Sequence, residues 1–180
     1  TFRIAISSTG EYTSYWGDDD DSNGSNQEDA LAAVASTLNR INEVFEKDLN
    51  IRLELVSDVS LLFEDPTTDP YNGNFASELQ NTLDTEIGDE GYDLGHLFDF
   101  GEPDGDAGCV GCVCISGQKG QAYATHPFED IFGGTYRNDY FEYRFFLTTY
   151  LFHPLGSGRW CTHVVSTISE SWDCDPVSNQ

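Results

Sequence analysis

Leu31-Ala-Ala-Val-Ala-Ser-Thr-Leu-Asn-Arg-Ile-Asn-Glu-Val-Phe45, followed after a short break by Ile51-Arg-Leu-Glu-Leu-Val56, is the stretch that decides the fold class. Leu31, Val34, Leu38, Ile41 and Phe45 recur at the helical period and share one face, while Asn39, Arg40, Glu43 and Glu46 lie mostly on the other. Ser25-x-x-Glu28 stands at its start as a capping box, in which each side chain satisfies an orphan amide of the first turn. Residues 51–56 then switch to alternation, the period of a strand. Phe2-Arg-Ile-Ala-Ile6 reads as an earlier strand, so the helix is expected to cross between two parallel strands.

Working outward, Gly17–Asn26 is a polar, acidic loop and Pro66–Asn74 a turn-rich connection. Phe75, Leu79, Leu83 and Ile87 mark a second amphipathic helix, with Gly88 placed to end it. Tyr92–Phe100 is a third strand candidate, Glu102–Gly108 a Gly/Asp loop, and Cys109–Ile115 a further strand candidate. Helices alternating with strands predict an α/β or α+β fold, a mixed twisted sheet packed with helices. At 180 residues the chain fits a single domain, 1–180. Within it, 127–180 differs from 1–126, because it carries half of all the Trp, Tyr and Phe. Around Tyr140–Phe152 aromatic residues fill nearly the whole helical circumference, a pattern expected of a helix either deeply buried or covered by a protein partner or a second copy. No internal repeat is present.

Net charge is −24, from 32 acidic and 8 basic residues. Nucleic acid is excluded as a partner, since phosphate binding needs clustered Lys and Arg. Membrane insertion is not expected either, because no run approaches the roughly 20 apolar residues of a spanning helix. Cysteines at 109, 112, 114, 161 and 174, in so acidic a chain without Met, point to a secreted or cell-surface protein with disulfides among Cys109, Cys112, Cys114, Cys161 and Cys174. The chain opens on strand-like Thr1–Ser7, so the expectation is that any leader has been removed.

An ordered set of segments then resembles one family. Thr9-Gly-Glu-Tyr-Thr13 after the first strand is similar to the bacterial reprolysin-like zinc metallopeptidases, a branch of the metzincins. So are Arg40-Ile-Asn-Glu-Val-Phe-Glu-Lys-Asp-Leu49 with Ile51-Arg-Leu, Thr68-Asp-Pro-Tyr71, Tyr92-Asp-Leu-Gly-His-Leu-Phe98 and Gly108-Cys-Val-Gly-Cys-Val-Cys114. The resemblance covers most of 1–126 and implies a metzincin-like sheet. It also implies a subsequent helix of the form Asp-Tyr-Val-x-His-Glu-x-Gly-His-x-x-Gly-x-x-His, whose three His bind zinc and whose Glu activates water.

That helix is where the chain departs from the family. Setting Asp139-Tyr140 on the family's Asp-Tyr places Tyr143 and Leu147 at the first two His, Arg144 at the Glu, Phe146 and Tyr150 at the two Gly, and His153 at the third His. No H-E-x-x-H occurs anywhere in the chain. Leu147 cannot bind zinc, Tyr143 binds it poorly, and Arg144 would bring a fixed positive charge to the seat of a dication. Zinc is therefore not expected. Three readings stand: a non-catalytic binding or assembly module, an active metallopeptidase whose zinc site is rebuilt or lies elsewhere, and a structural subunit of an extracellular filament or complex. A distinct alternative for the region past Pro127 is that it replaces the family's segment, by recombination or an out-of-frame reading.

Calcium is the cofactor the acidic loop suggests. Asp19, Asp21 and Asn23, with Gly24, reproduce the first half of a calcium loop, although Ala30 stands where the closing Glu belongs and Glu28 or Asp29 would have to serve. A solvated acidic loop is the competing explanation. Asn23-Gly-Ser25 is also a glycosylation sequon. His96, in an apolar strand context, reads as a hydrogen-bonded core histidine. A new zinc site from His126, His153, Cys161 and His163 has no geometry to support it.

Overall fold

The computed structural model describes residues 1–18, 22–56, 58–101, 104–109 and 111–127. Among these residues five strands form one sheet in the order β2-β1-β3-β5-β4. They are β1 (Phe2–Ser8), β2 (Leu53–Val56), β3 (Leu94–Gly101), β4 (Asp104–Asp106) and β5 (Ala122–Pro127). β1 pairs in parallel with β2 (Phe2 beside Leu53) and with β3 (Ile4 beside Leu94), and β3 pairs in parallel with β5 (His96 beside Ala122). β4 alone runs antiparallel, with Asp104 beside Thr125. The expected mixed sheet with helices is what the chain adopts.

Among the described residues three α-helices cover it: α1 (Gly10–Trp16), α2 (Asn26–Leu49) and α3 (Phe75–Glu86). The predicted capping box at α2 is complete, with the Ser25 hydroxyl accepting from the Glu28 N–H and Glu28 accepting from the Ser25 N–H. Val34, Leu38, Ile41 and Phe45 then pack onto Ile4, Ile6, Phe98 and Phe100, together with Tyr12 of α1. On the opposite face, Leu79 and Leu83 of α3 pack with Ala5, Leu97, Tyr71 and Tyr92. Because helices bury both faces, β1 and β3 read as near-continuous buried runs. Polar groups on the α3 face are satisfied in series: the Tyr71 hydroxyl donates to Ser7 Oγ at 2.6 Å, and Ser7 Oγ donates to the Leu61 carbonyl at 2.6 Å. α3 ends as predicted, with Gly88 at φ +75° donating its N–H to the Leu83 carbonyl.

The region after β3 corrects the sequence reading twice. The described residues of 109–115 form turns and bends, not a strand. Gly108, Gly111 and Cys114 all have positive φ, and Cys109 and Cys112 form a disulfide across Cα atoms 5.6 Å apart. An extended strand would set residues i and i+3 about 10 Å apart, so the bond and a strand exclude each other. The strand lies instead at Ala122–Pro127, and Asp104–Asp106, read as loop, forms the edge strand β4. α1, hidden in the seven residues after Thr9, has too little periodicity to announce itself.

Candidate functional site

The side chains that could serve chemistry gather where the parallel strands end. Thr9 follows β1 and caps α1, its hydroxyl accepting from the Tyr12 N–H. The same hydroxyl donates to Asp99 Oδ1 at 2.8 Å, and the Thr125 hydroxyl donates to Asp99 Oδ2 at 2.9 Å. Asp99 is 8% exposed, so one buried carboxylate clamps the ends of β1, β3 and β5 together. Asp69 reaches in from the Pro-rich loop to accept the Gly10 N–H at 2.8 Å. Partial burial, followed by the charges of Asp69 and Asp99, raises the Glu11 carboxyl above its ordinary range. Sequence reasoning missed this clamp, because residues 9, 99 and 125 show no mutual spacing until the sheet is assembled.

The clamp fixes the end of β5, and with it the point from which the chain continues past Pro127. Both oxygens of Asp99 are committed to hydroxyls, which leaves it poorly suited to act as a base or a ligand. Nowhere among the described residues do three His, Cys, Asp or Glu side chains converge as metal ligands would. His96 is 1% exposed, packs edge-on to Phe98 with ring centroids 5.4 Å apart, and has its pKa lowered by burial to about 3. Its place in the core is as the sequence suggested, although Nε2 makes no hydrogen bond with the described residues. Among the described residues, the imidazole of His96 is sealed in the core, out of reach of a metal at the surface.

Tyr143, Arg144, Leu147, His153, Cys161 and Cys174 lie outside the described residues, as do Asp19 and Asp21 of the calcium half-motif. Asn23 sits in an exposed turn with its Nδ2 donating to Asp18 Oδ2 at 2.9 Å. Glu28, one of two candidates to close that loop, is used by the capping box; Asp29 Oδ2 is buried and accepts no hydrogen bond among the described residues.

The cysteines resolve in part. Cys109 pairs with Cys112, and both sulfurs lie within 3.5 Å of Gln118 Oε1. Their loop is tied to the body of the protein at two points. The Cys114 N–H donates to the Asp93 carbonyl at 2.8 Å. Lys119 is buried against the Tyr92 ring, 4.6 Å from its centroid, with Nζ donating to the Asp89 carbonyl. Asp93 in turn is held by Arg3, whose Nη2 lies 2.7 Å from Oδ1.

A four-parallel, one-antiparallel sheet with α2 and α3 on opposite faces is the kind of scaffold metallopeptidases use. The family model for the M12B reprolysin-like metallopeptidases matches residues 1–142, and the chain belongs to that family. No curated protein matches it. The match reaches Glu142 and stops one residue before Tyr143, the position of the first expected zinc ligand.

Proposed function

We propose that this chain is a non-catalytic module on a metallopeptidase scaffold, secreted or displayed at the cell surface, that works by binding a protein partner. One observation carries the proposal: family likeness persists up to Glu142, while the residues at the zinc and base positions are Tyr143, Arg144 and Leu147. An arginine in place of the base cannot accept a proton from water, because guanidinium stays charged at any working pH. The aromatic-rich 127–180 is the surface that would meet the partner. The Cys109–Cys112 disulfide supports an oxidising compartment.

Metal analysis with a peptidase assay tests this. The purified chain is expected to carry zinc well below one equivalent and to cleave no peptide library, with or without added zinc. Stoichiometric zinc together with chelator-sensitive cleavage would overturn the proposal.

The abrupt end of the family match favours one second reading, in which the native protein continues past Glu142 with a zinc helix that this sequence lacks. Peptide sequencing of the protein from its own source separates the two. Recovery of peptides from 143–180 of this sequence supports the binding module; a peptide containing H-E-x-x-H after Glu142 supports an active enzyme.

A further inference from the structure

We infer that Asn72 is a spontaneous deamidation and isoaspartate site, reacting ahead of Asn23. These are the two asparagines in the chain that precede glycine. In such a pair the backbone nitrogen of the glycine attacks Cγ of the asparagine. A C–N bond forms, the bond to the side-chain amide nitrogen breaks, ammonia leaves, and a five-membered succinimide results. Water then opens the ring at either carbonyl, giving aspartate or isoaspartate with no change in oxidation state.

The structure favours the step at Asn72. Asn72 and Gly73 are both exposed, and beyond its chain neighbours nothing lies within 4 Å of the place a Gly73 Cβ would occupy. The attacking N–H of Gly73 has no hydrogen-bond partner among the described residues, and neither has the Asn72 side-chain amide. Gly73 sits at φ +96°, a conformation glycine reaches without cost. Asn23 is more restrained: its Nδ2 is held by Asp18, and the backbone at Gly24 abuts Glu28 Oε2, 3.1 Å from where a Cβ would stand.

The reaction has a structural consequence at α3. Glu78 Oε2 accepts the N–H groups of both Asn72 and Asn74, at 3.0 and 3.1 Å, and so spans the reactive bond. Asn74, the residue before α3, makes no side-chain cap of its own. Isoaspartate lengthens the backbone between those two amides by one methylene, so Glu78 can no longer hold both. The first turn of α3 then loses the contacts that replace its missing cap. Phe75, which packs edge-on to Tyr71 and Tyr123, stands on that turn.

The test is ageing of the full chain at mildly alkaline pH, followed by peptide mapping. Isoaspartate is read by enzymatic methyl transfer to its free α-carboxylate. Native protein is expected to convert at Asn72 roughly tenfold faster than at Asn23, a barrier difference of about 1.4 kcal/mol. In denaturant the two rates are expected to converge, since local sequence alone then acts. Asn72→Gln, which leaves Gly73 its φ, should remove the fast phase, and hydrogen exchange in the first turn of α3 should rise as the native protein ages. Equal or faster native conversion at Asn23, or an Asn72 that stays intact while denatured chain converts, would overturn the inference.

Discussion

At the scale of single residues, the buried ionisable groups set how the fold answers pH. His96 has a folded pKa near 3 because burial alone disfavours its charged form, against an ordinary 6.5 when unfolded. Between those values the unfolded chain binds one more proton than the native chain, so stability rises with pH there and is lost as pH falls from 6.5 toward 3. The slope this one group adds is about 1.4 kcal/mol per pH unit. Urea unfolding from about pH 7.5 to about pH 4 should therefore show a steeper acid loss in the native sequence than in His96→Leu, and parallel curves would refute the assignment. Asp93 acts in the same direction for a different reason. Burial opposes its charge, yet the Arg3 guanidinium and backbone N–H outweigh that and hold the carboxyl below its usual range. Its contribution is present above the ordinary carboxylate range and disappears as pH falls through the lowered value. Arg3→Met leaves a buried carboxylate without its cation, and a loss of about 2 kcal/mol is expected from unfolding midpoints near neutral pH. The Arg3 side chain is half exposed, which keeps the figure below that of a fully buried pair.

At the scale of elements, β2 is a sheet edge among the described residues, and edges invite unwanted pairing. Its register with β1 turns the backbone of Glu54 inward and that of Leu53 and Leu55 outward. Asn42 of α2 answers for Leu53: Nδ2 donates to the Leu53 carbonyl at 2.8 Å and Oδ1 accepts the Leu53 N–H at 2.8 Å. The amide thus does what a neighbouring strand would do. Asn42→Ala should cost about 2 kcal/mol by leaving both groups unmet, and it should also open the edge, seen as concentration-dependent association in sizing runs. An unchanged melting curve and a monomer at all concentrations would refute this role. Neither the guard nor the Asp99 clamp was legible in the sequence, since each joins residues brought together only by pairing of strands. The two long helices and β1 to β3 were legible because 3.6 and 2.0 periodicities lie within each segment. The part after β3 failed for the opposite reason: valines and cysteines at 109–114 imitate a strand, whereas the glycines with positive φ and the local disulfide impose turns. Of the catalytic segment, only the missing donors could be read.

At the scale of the whole molecule, charge is the dominant long-range quantity. Thirty-two acidic side chains face 8 basic ones, and three of those eight, Arg3, Lys119 and Arg52, are already committed to Asp93, Asp89 and Glu46. The folded state therefore gathers a net −24 into a small volume, and unfolding relieves that repulsion by spreading the charges apart. Added salt shortens the Debye length from about 30 Å at 0.01 M to about 10 Å at 0.1 M and about 3 Å at 1 M. The first step already screens repulsion across the breadth of the domain, while ion pairs at contact distance are screened much less. Stability should consequently rise with sodium chloride, most steeply below about 0.1 M, and level off toward about 1 M. Thermal unfolding at fixed pH across that series checks it, with sodium perchlorate beside chloride to separate screening from the water-structuring effects of the anion. A rise shared by both salts at low concentration is the expected result. A midpoint that falls over the same range would mean that attraction among paired charges, not repulsion among unpaired ones, governs this fold.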